Sequence, residues 1–140
     1  MTKNKKNKLR YRLYGHFVAL RICRVHIKTP KGEIKMKSIM EAENGPRCCY
    51  LCGATQNLEK HHIFGGALRK KSERYGLTVT LCHDCHNEPP HGVHFDAVRN
   101  NNLKAEAQIM CMMYNVWDVE DFVREFYKNY LLNNERSVKS

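Results

Sequence analysis

Apolar and polar positions interleave in the first third of the chain, with a period of two that holds better over residues 34–38 than over residues 20–28. Leu20, Ile22, Val25 and Ile27 interleave with Arg21, Arg24, His26 and Lys28, and Ile34, Met36 and Ser38 alternate with Lys35 and Lys37. Thr29-Pro30-Lys31-Gly32 lies between them and is a turn sequence, since Pro presets one dihedral and Gly accepts the other. The pattern predicts a β-hairpin extension within residues 13–44, with one basic face. Glu43-Asn44-Gly45-Pro46 then breaks the chain. Leu58 to Ile63 and the β-branched run Leu77 to Leu81 predict a second pair of strands. Between them, Ala67 to Tyr75 reads as a short helix closed by Gly76. Pro89-Pro90 stops any helix begun just before it, and Gly92-Val93-His94-Phe95 reads as extended. The remainder has helical periodicity. Leu103, Ala107, Met110, Met113 and Tyr114 share a face of a helix over Val98 to Trp117. Asp118 is placed to cap a last helix with Val119, Phe122, Val123, Phe126 and Tyr130 as its stripe. Both stripes read as core packing, and residues 99–132 as two helices packed on what precedes them.

The cysteines and histidines add chemistry to this framework. Cys49-Tyr50-Leu51-Cys52 and Cys82-His83-Asp84-Cys85 are two Cys-x-x-Cys knuckles separated by 29 residues. Four thiolates in two such pairs suit one tetrahedral zinc, because each knuckle supplies two sulfurs from a single tight turn. A closed four-sulfur shell leaves no position for a substrate, so this zinc is expected to be structural. Cys48 could exchange with Cys49, although only Cys49 has the knuckle spacing to Cys52, and Cys23 and Cys111 remain unassigned. A reducing cytosol with bound zinc fits the odd total of 7 cysteines better than a disulfide framework. Inside the gap lies His61-His62-Ile63 on a predicted strand, and His86 follows the second knuckle directly.

These marks resemble an HNH nuclease of the ββα-metal superfamily, in the variety stapled by a four-cysteine zinc. The stretch is similar to small phage-encoded HNH proteins, including phage recombination-enhancing nucleases. The resemblance covers roughly residues 45–98. It implies a ββα-metal core, which together with the basic arm, hairpin and two carboxy-terminal helices read from charge and periodicity gives an α+β fold. It implies DNA as partner, Zn2+ at the cysteines, and Mg2+ or another divalent ion at the histidines. Carried over residue by residue, His61 and His86 resemble ligands of the catalytic ion, and His62 the general base that activates water. His91 and His94, just past Pro89-Pro90, are rivals for the last ligand if the chain bends back. His83 reads as a surface residue or a phosphate contact. Imidazole suits the base role because it exchanges protons near neutral pH. The sequence departs from the family pattern at one place: Leu77 stands where a motif Asn normally orients the base. Thr78, or a backbone carbonyl in the Gly65-Gly66 turn, could take over that role, whereas Asn87 is too far along. The activity implied is an HNH-type DNA endonuclease acting in the cytosol, that of a bacterial host if phage-encoded. The alternative is a non-catalytic zinc-containing nucleic-acid-binding or recombination accessory protein. A zinc-stabilised interaction module without nucleic acid is a third reading.

Charge distribution supports a polyanionic partner. Residues 1–47 hold 13 Lys and Arg against 3 Glu, while residues 48–140 hold 11 of each sign. The formal charge of +10 therefore belongs to the amino-terminal third. Residues 1–12 carry six cations and little that is apolar, and are expected to be a disordered arm, whether a DNA contact or a solubilising tail. Lys60, Arg69, Lys70, Lys71 and Arg74 form a second basic set near the histidines, suited to phosphate because Arg donates two bonds at once from a planar fork. Their alternative is a solvated helix face. No long apolar run predicts a membrane span, and no small-molecule cofactor is expected.

Overall fold

The computed structural model describes residues 26–28 and 34–133. The arm of residues 1–12, the hairpin positions from 13 to 25 with Cys23, the turn at 29–32 and the tail from 134 lie outside the described residues. The described part is a mixed α/β fold with two small antiparallel sheets and four helices. No described helix is long and apolar enough to cross a membrane.

Strands β1 (His26–Lys28) and β2 (Ile34–Met36) pair antiparallel, His26 opposite Met36 and Lys28 opposite Ile34, so the hairpin expectation holds for these residues. The chain then runs along the second sheet. Ile39 donates its N–H to the Gly76 carbonyl at 2.9 Å, the Ser38 hydroxyl donates to the Thr78 carbonyl, and Glu41 accepts the Thr80 N–H at 2.7 Å. An otherwise open strand edge is thereby covered. Gly76 permits the approach: its φ is +67°, and a Cβ there would collide with the Lys37 carbonyl.

Strands β3 (Leu58–His62) and β4 (Thr78–Cys82) form the central hairpin, Leu58 opposite Cys82 and His62 opposite Thr78. Thr78, Val79, Leu81 and Cys82 of β4 are buried, which explains its nearly continuous apolar run. The connection holds a 3-10 turn (Gly66–Leu68) and helix α1 (Arg69–Arg74), shorter than the stretch 67–75 expected to be helical. Ser72 of α1 is fully buried, and its hydroxyl both accepts from the Phe64 N–H and donates to the Phe64 carbonyl, each at 2.9 Å. These two bonds pin α1 to the end of β3. Leu77 has no exposed surface; its N–H reaches the Ser72 carbonyl at 2.8 Å and its carbonyl accepts from Ile63 at 3.1 Å.

Helix α2 (His83–Asn87) starts where β4 ends. Beyond it, residues 88–95 form a compact turn and not the extended segment expected. Gly92 N–H returns to the Glu88 carbonyl at 2.6 Å, Val93 to Cys85 at 2.8 Å, and His94 to His86 at 3.4 Å. Gly92 makes this possible, because a Cβ would lie 2.8 Å from the Glu88 nitrogen and 2.9 Å from the His86 carbonyl oxygen. A return this close satisfies backbone groups that an extended segment would have left to solvent.

Asp96 caps α3 (Ala97–Asn115) by accepting from Val98 at 2.9 Å and Arg99 at 3.0 Å. Asp118 and Asp121 form a reciprocal capping box on α4 (Val119–Phe126), as the Asp118 reading anticipated. The buried face of α3 is not the expected stripe. Leu103 and Ala107 belong to it, but it continues through Gln108, Cys111 and Met112, while Met110, Met113 and Tyr114 are only half-buried. Gln108 faces inward because its amide is fully used there: it accepts from the Tyr130 N–H at 2.7 Å and donates to Asn129 at 2.9 Å. Phe122 and Phe126 of α4 stack at 4.6 Å, and Phe64, just past β3, sits 4.8 Å from Phe126 and 5.3 Å from Tyr130. The end of the histidine strand is thus anchored in the helical core.

Candidate metal centres

The first centre is built from two local turns. In the first knuckle, Gly53 donates to the Cys49 carbonyl at 2.8 Å and Cys49 to Ala54 at 2.7 Å. Tyr50 donates to the Thr80 carbonyl at 2.8 Å, which lays the knuckle against β4, and its hydroxyl reaches Glu106 of α3 at 3.1 Å. Cys82 ends β4 and Cys85 lies in α2. The four sulfur atoms of Cys49, Cys52, Cys82 and Cys85 lie within 4.8 Å of one another, with Cys52 and Cys82 at 3.6 Å. A tetrahedron with metal–sulfur bonds of about 2.3 Å has edges of about 3.8 Å, so these residues can hold a metal ion and their donor set is consistent with zinc.

Electrostatics agree with a cationic occupant. Burial raises the Cys49 thiol, but the backbone N–H groups of Cys82, Cys52 and Leu51 outweigh it and bring it down to about 7. Burial, then the neighbouring thiols, push Cys85 up to about 12. Four thiolates this close repel one another, and a central cation reverses that penalty. Cys48 is half-buried outside the cluster, and Cys111 is a core thiol on α3, held up at about 12 chiefly by burial.

The second centre assembles from more distant pieces. His61 comes from β3, His86 from α2, and His94 from the returning turn. Their ligand nitrogens lie within 4.8 Å of one another, and the Nε2 atoms of His86 and His94 are 3.1 Å apart. The three rings stand 4.8 to 5.3 Å apart, centroid to centroid. His61 is only 5% exposed and its Nε2 is buried without a hydrogen-bond partner. A buried polar atom left so is costly, and a metal bond would satisfy it. Burial foremost, then His86 and His94, lower the His61 imidazole to about 4, which keeps it neutral and able to ligate. Burial and His86 lower His94 as well. His86 and His94, treated as rivals in the sequence, thus lie together. His91 is exposed outside the cluster.

Glu59 holds the second centre in shape. It shares a face of β3 with His61, two residues on. Its carboxylate accepts from His86 Nδ1 at 2.5 Å, from His83 Nδ1 at 2.9 Å and from Asn87 at 2.9 Å. Hydrogen bonds from His83 and His86 hold its carboxyl below the usual range. With Nδ1 bound to Glu59, His86 turns Nε2 toward His61 and His94, the arrangement by which a second carboxylate orients a ligating imidazole. The sequence reading missed Glu59, whose signal was its period-two relation to His61. Asn87, set aside as an orienting residue for the base, supports Glu59.

His62 points away from the triad, as its strand neighbour must. Its Nε2 meets Glu73 of α1 at 2.9 Å, and both side chains are mostly buried. Glu73 is thus the side chain that holds the His62 ring, and Leu77 belongs to the core. Of the basic set, Lys60, Arg69, Lys70 and Arg74 are exposed. Lys71 is engaged: it donates to the Glu125 carbonyl at 2.6 Å, pairs with the Glu125 carboxylate at 3.3 Å, and sits 4.7 Å over the Tyr127 ring. It ties α1 to the end of α4.

Comparison with protein-family models, with curated proteins and with solved structures finds no match for this chain.

Proposed function

We propose that the protein is a metal-dependent endonuclease of the HNH type, hydrolysing DNA phosphodiester bonds, with Zn2+ at Cys49, Cys52, Cys82 and Cys85. The observation that carries this reading is the convergence of His61, His86 and His94, together with a buried His61 Nε2 that has no hydrogen-bond partner. Three imidazoles converging in this way would hold a divalent ion, and as nitrogen donors they suit Zn2+ or Ni2+ better than Mg2+, which prefers oxygen ligands. Such an ion, when bound, supplies neutralisation of charge on the scissile phosphate and its leaving oxygen.

The chain's own residues supply the rest. His62 lies next in the chain to a ligand yet outside the ligand set, which is where a base must be to reach water without being sequestered by the metal. With Nε2 holding its proton toward Glu73, Nδ1 keeps the lone pair that accepts the proton from the attacking water. Glu73 fixes ring and tautomer, in the way a buried carboxylate orients a catalytic imidazole elsewhere. Glu59 fixes His86. Exposed Lys60, Arg69, Lys70 and Arg74 lie on the elements that carry His62 and Glu73, where a nucleic-acid backbone would pass.

Plasmid nicking with and without Mg2+, Mn2+, Co2+ or Ni2+ tests the proposal, comparing the parent with His62→Ala. Loss of a general base is expected to slow cleavage by about 100- to 10,000-fold while fold, zinc and DNA binding persist. A parent that binds DNA but nicks nothing with any of these ions leaves the non-catalytic accessory reading. A His62→Ala variant that cleaves as fast as the parent assigns the base elsewhere.

A further inference from the structure

Helix α4 ends on Tyr127, whose φ of +66° is left-handed. Helices commonly close this way on glycine, because a Cβ makes the conformation costly. Burial does not offset that cost here: Tyr127 is 72% exposed, more than any other large apolar side chain among the described residues. Nor is its position loose. The Tyr127 N–H donates to the Val123 carbonyl at 2.7 Å, Phe126 before it is buried in the core, and Asn129 after it binds Gln108 at 2.9 Å. Lys71 lies 4.7 Å over the ring, but the Glu125 carbonyl and carboxylate already hold that ammonium group. An aromatic ring is thus held out in solvent on a strained and firmly anchored backbone. Such outliers gather where a side chain has a task.

The contacts of α1 connect this ring to His62. Ser72 faces the core, so its neighbours Lys71 and Glu73 point to opposite flanks of the helix. On one flank Lys71 meets Tyr127, its Nζ 3.4 Å from the phenol oxygen; on the other Glu73 meets His62 at 2.9 Å. Lys70 and Arg74 are exposed along the crest between them, and Arg69 is exposed at its start. The carboxylates of this region, Glu73 and Glu125, are taken up by His62 and Lys71. The result is a basic ridge about 10 Å wide with an exposed ring on one side and His62 on the other. Cations along a crest suit the phosphates of a strand, and an exposed ring suits the face of a base. A base stacked within a duplex has no face free for it, whereas an unpaired base does.

We propose that Tyr127 is a stacking platform for an unpaired base of a DNA strand that crosses Lys70 and Arg74 on its way to His62. The substrate class is then DNA with a single-stranded stretch. The choice of DNA rests on the function proposed above; the platform itself rests on the exposure, backbone and neighbours of Tyr127. Stacking on a ring already fixed in place loses little freedom, so the strained left-handed residue serves binding at the expense of stability.

The test is fluorescence anisotropy across a salt series, on zinc-loaded full-length protein without added divalent ion, so that turnover plays no part. The probes are a mixed-sequence single strand and the fully paired duplex made from it. Tyr127→Gly relieves the backbone and is expected to melt at or above the parent's temperature, which a merely structural ring would not allow. It should nonetheless bind the single strand about 5- to 100-fold more weakly, the scale of one lost base–aromatic stack, with much less effect on the duplex. The slope of log affinity against log salt should stay the same, because a ring releases no counterions, whereas Lys70→Gln/Arg74→Gln should make it shallower by about 1. Tyr127→Phe should bind as the parent does. Asparagine also tolerates this conformation, so Tyr127→Asn gives the same reading if Tyr127→Gly melts early. A folded variant that binds the single strand as tightly as the parent overturns the platform, and so does a parent that does not bind the single strand. Equal losses on single strand and duplex overturn the assignment to an unpaired base. The two proposals fail separately. A parent that binds single strands through Tyr127 yet nicks nothing breaks only the nuclease reading, and a parent that nicks while Tyr127→Gly binds equally well breaks only this one.

Discussion

The cysteine and histidine clusters share helix α2, Cys85 and His86 being neighbours, yet one is closed and the other open. Three of the four cysteines are buried, and the four clustered sulfurs are enough to fill a tetrahedral shell by themselves. The histidine centre has three nitrogens, a buried floor at His61 and an exposed rim at His94. A complete shell of protein ligands can only hold structure together, whereas an incomplete one keeps positions for water or substrate. The clusters also differ in support. Backbone turns hold the thiols, while a carboxylate, an amide and a returning loop hold the imidazoles. One centre therefore tolerates little change without loss of the fold, and the other can be altered while the fold stands.

The largest effect is expected at the closed centre. Cys85→Ser should leave the protein largely unfolded, since metal binding in small knuckles is coupled to folding. Far-UV circular dichroism and zinc content by atomic emission check this, and metal-free protein with the parent's melting curve would contradict it. At the open centre, Glu59→Gln should keep fold and zinc but weaken divalent-ion binding by about 10- to 100-fold, the usual cost of losing an orienting carboxylate. Calorimetric titration with Mn2+ reads this directly. Equal affinity in the parent and Glu59→Gln would mean that His86 needs no orienting partner. The smallest effect belongs to Asn87→Ala, which removes one hydrogen bond from Glu59 and should cost about 0.5 to 1.5 kcal/mol in the same titration. A loss exceeding that of Glu59→Gln would show that Asn87 acts on the metal site by another route.

The two centres were also unequally legible. Cys49, Cys52, Cys82 and Cys85 could be grouped from spacing, because a Cys-x-x-Cys turn fixes its two sulfurs locally and only the pairing of turns is left to the fold. His61 and His86 could be named from their place beside the knuckles. His94 could only be held as a rival, because its position depends on a turn closed by Gly92, and residues 92–95 read as extended from sequence. Glu59 and Glu73 went unnoticed for a related reason. Each is an ordinary charged residue in sequence, and its role exists only where a strand face or a helix brings it to a particular imidazole nitrogen. The inward face of α3 was misplaced because Gln108 is polar. Its burial depends on hydrogen bonds to Asn129 and Tyr130, some twenty residues away.

Sequence by itself determined the features set by short-range rules: knuckle spacing, the paired histidine on a strand, the Asp118 cap, the breaks at glycine and proline, and the basic excess of the amino-terminal third. These depend on dihedral preferences, side-chain period and charge, all of which act within a few residues. Tertiary structure decided that two of the three candidate histidines, His86 and His94, join His61, and which carboxylate meets which ring. Those outcomes depend on close packing between segments far apart in the chain, where a single buried amide or a missing Cβ selects one arrangement over its neighbours.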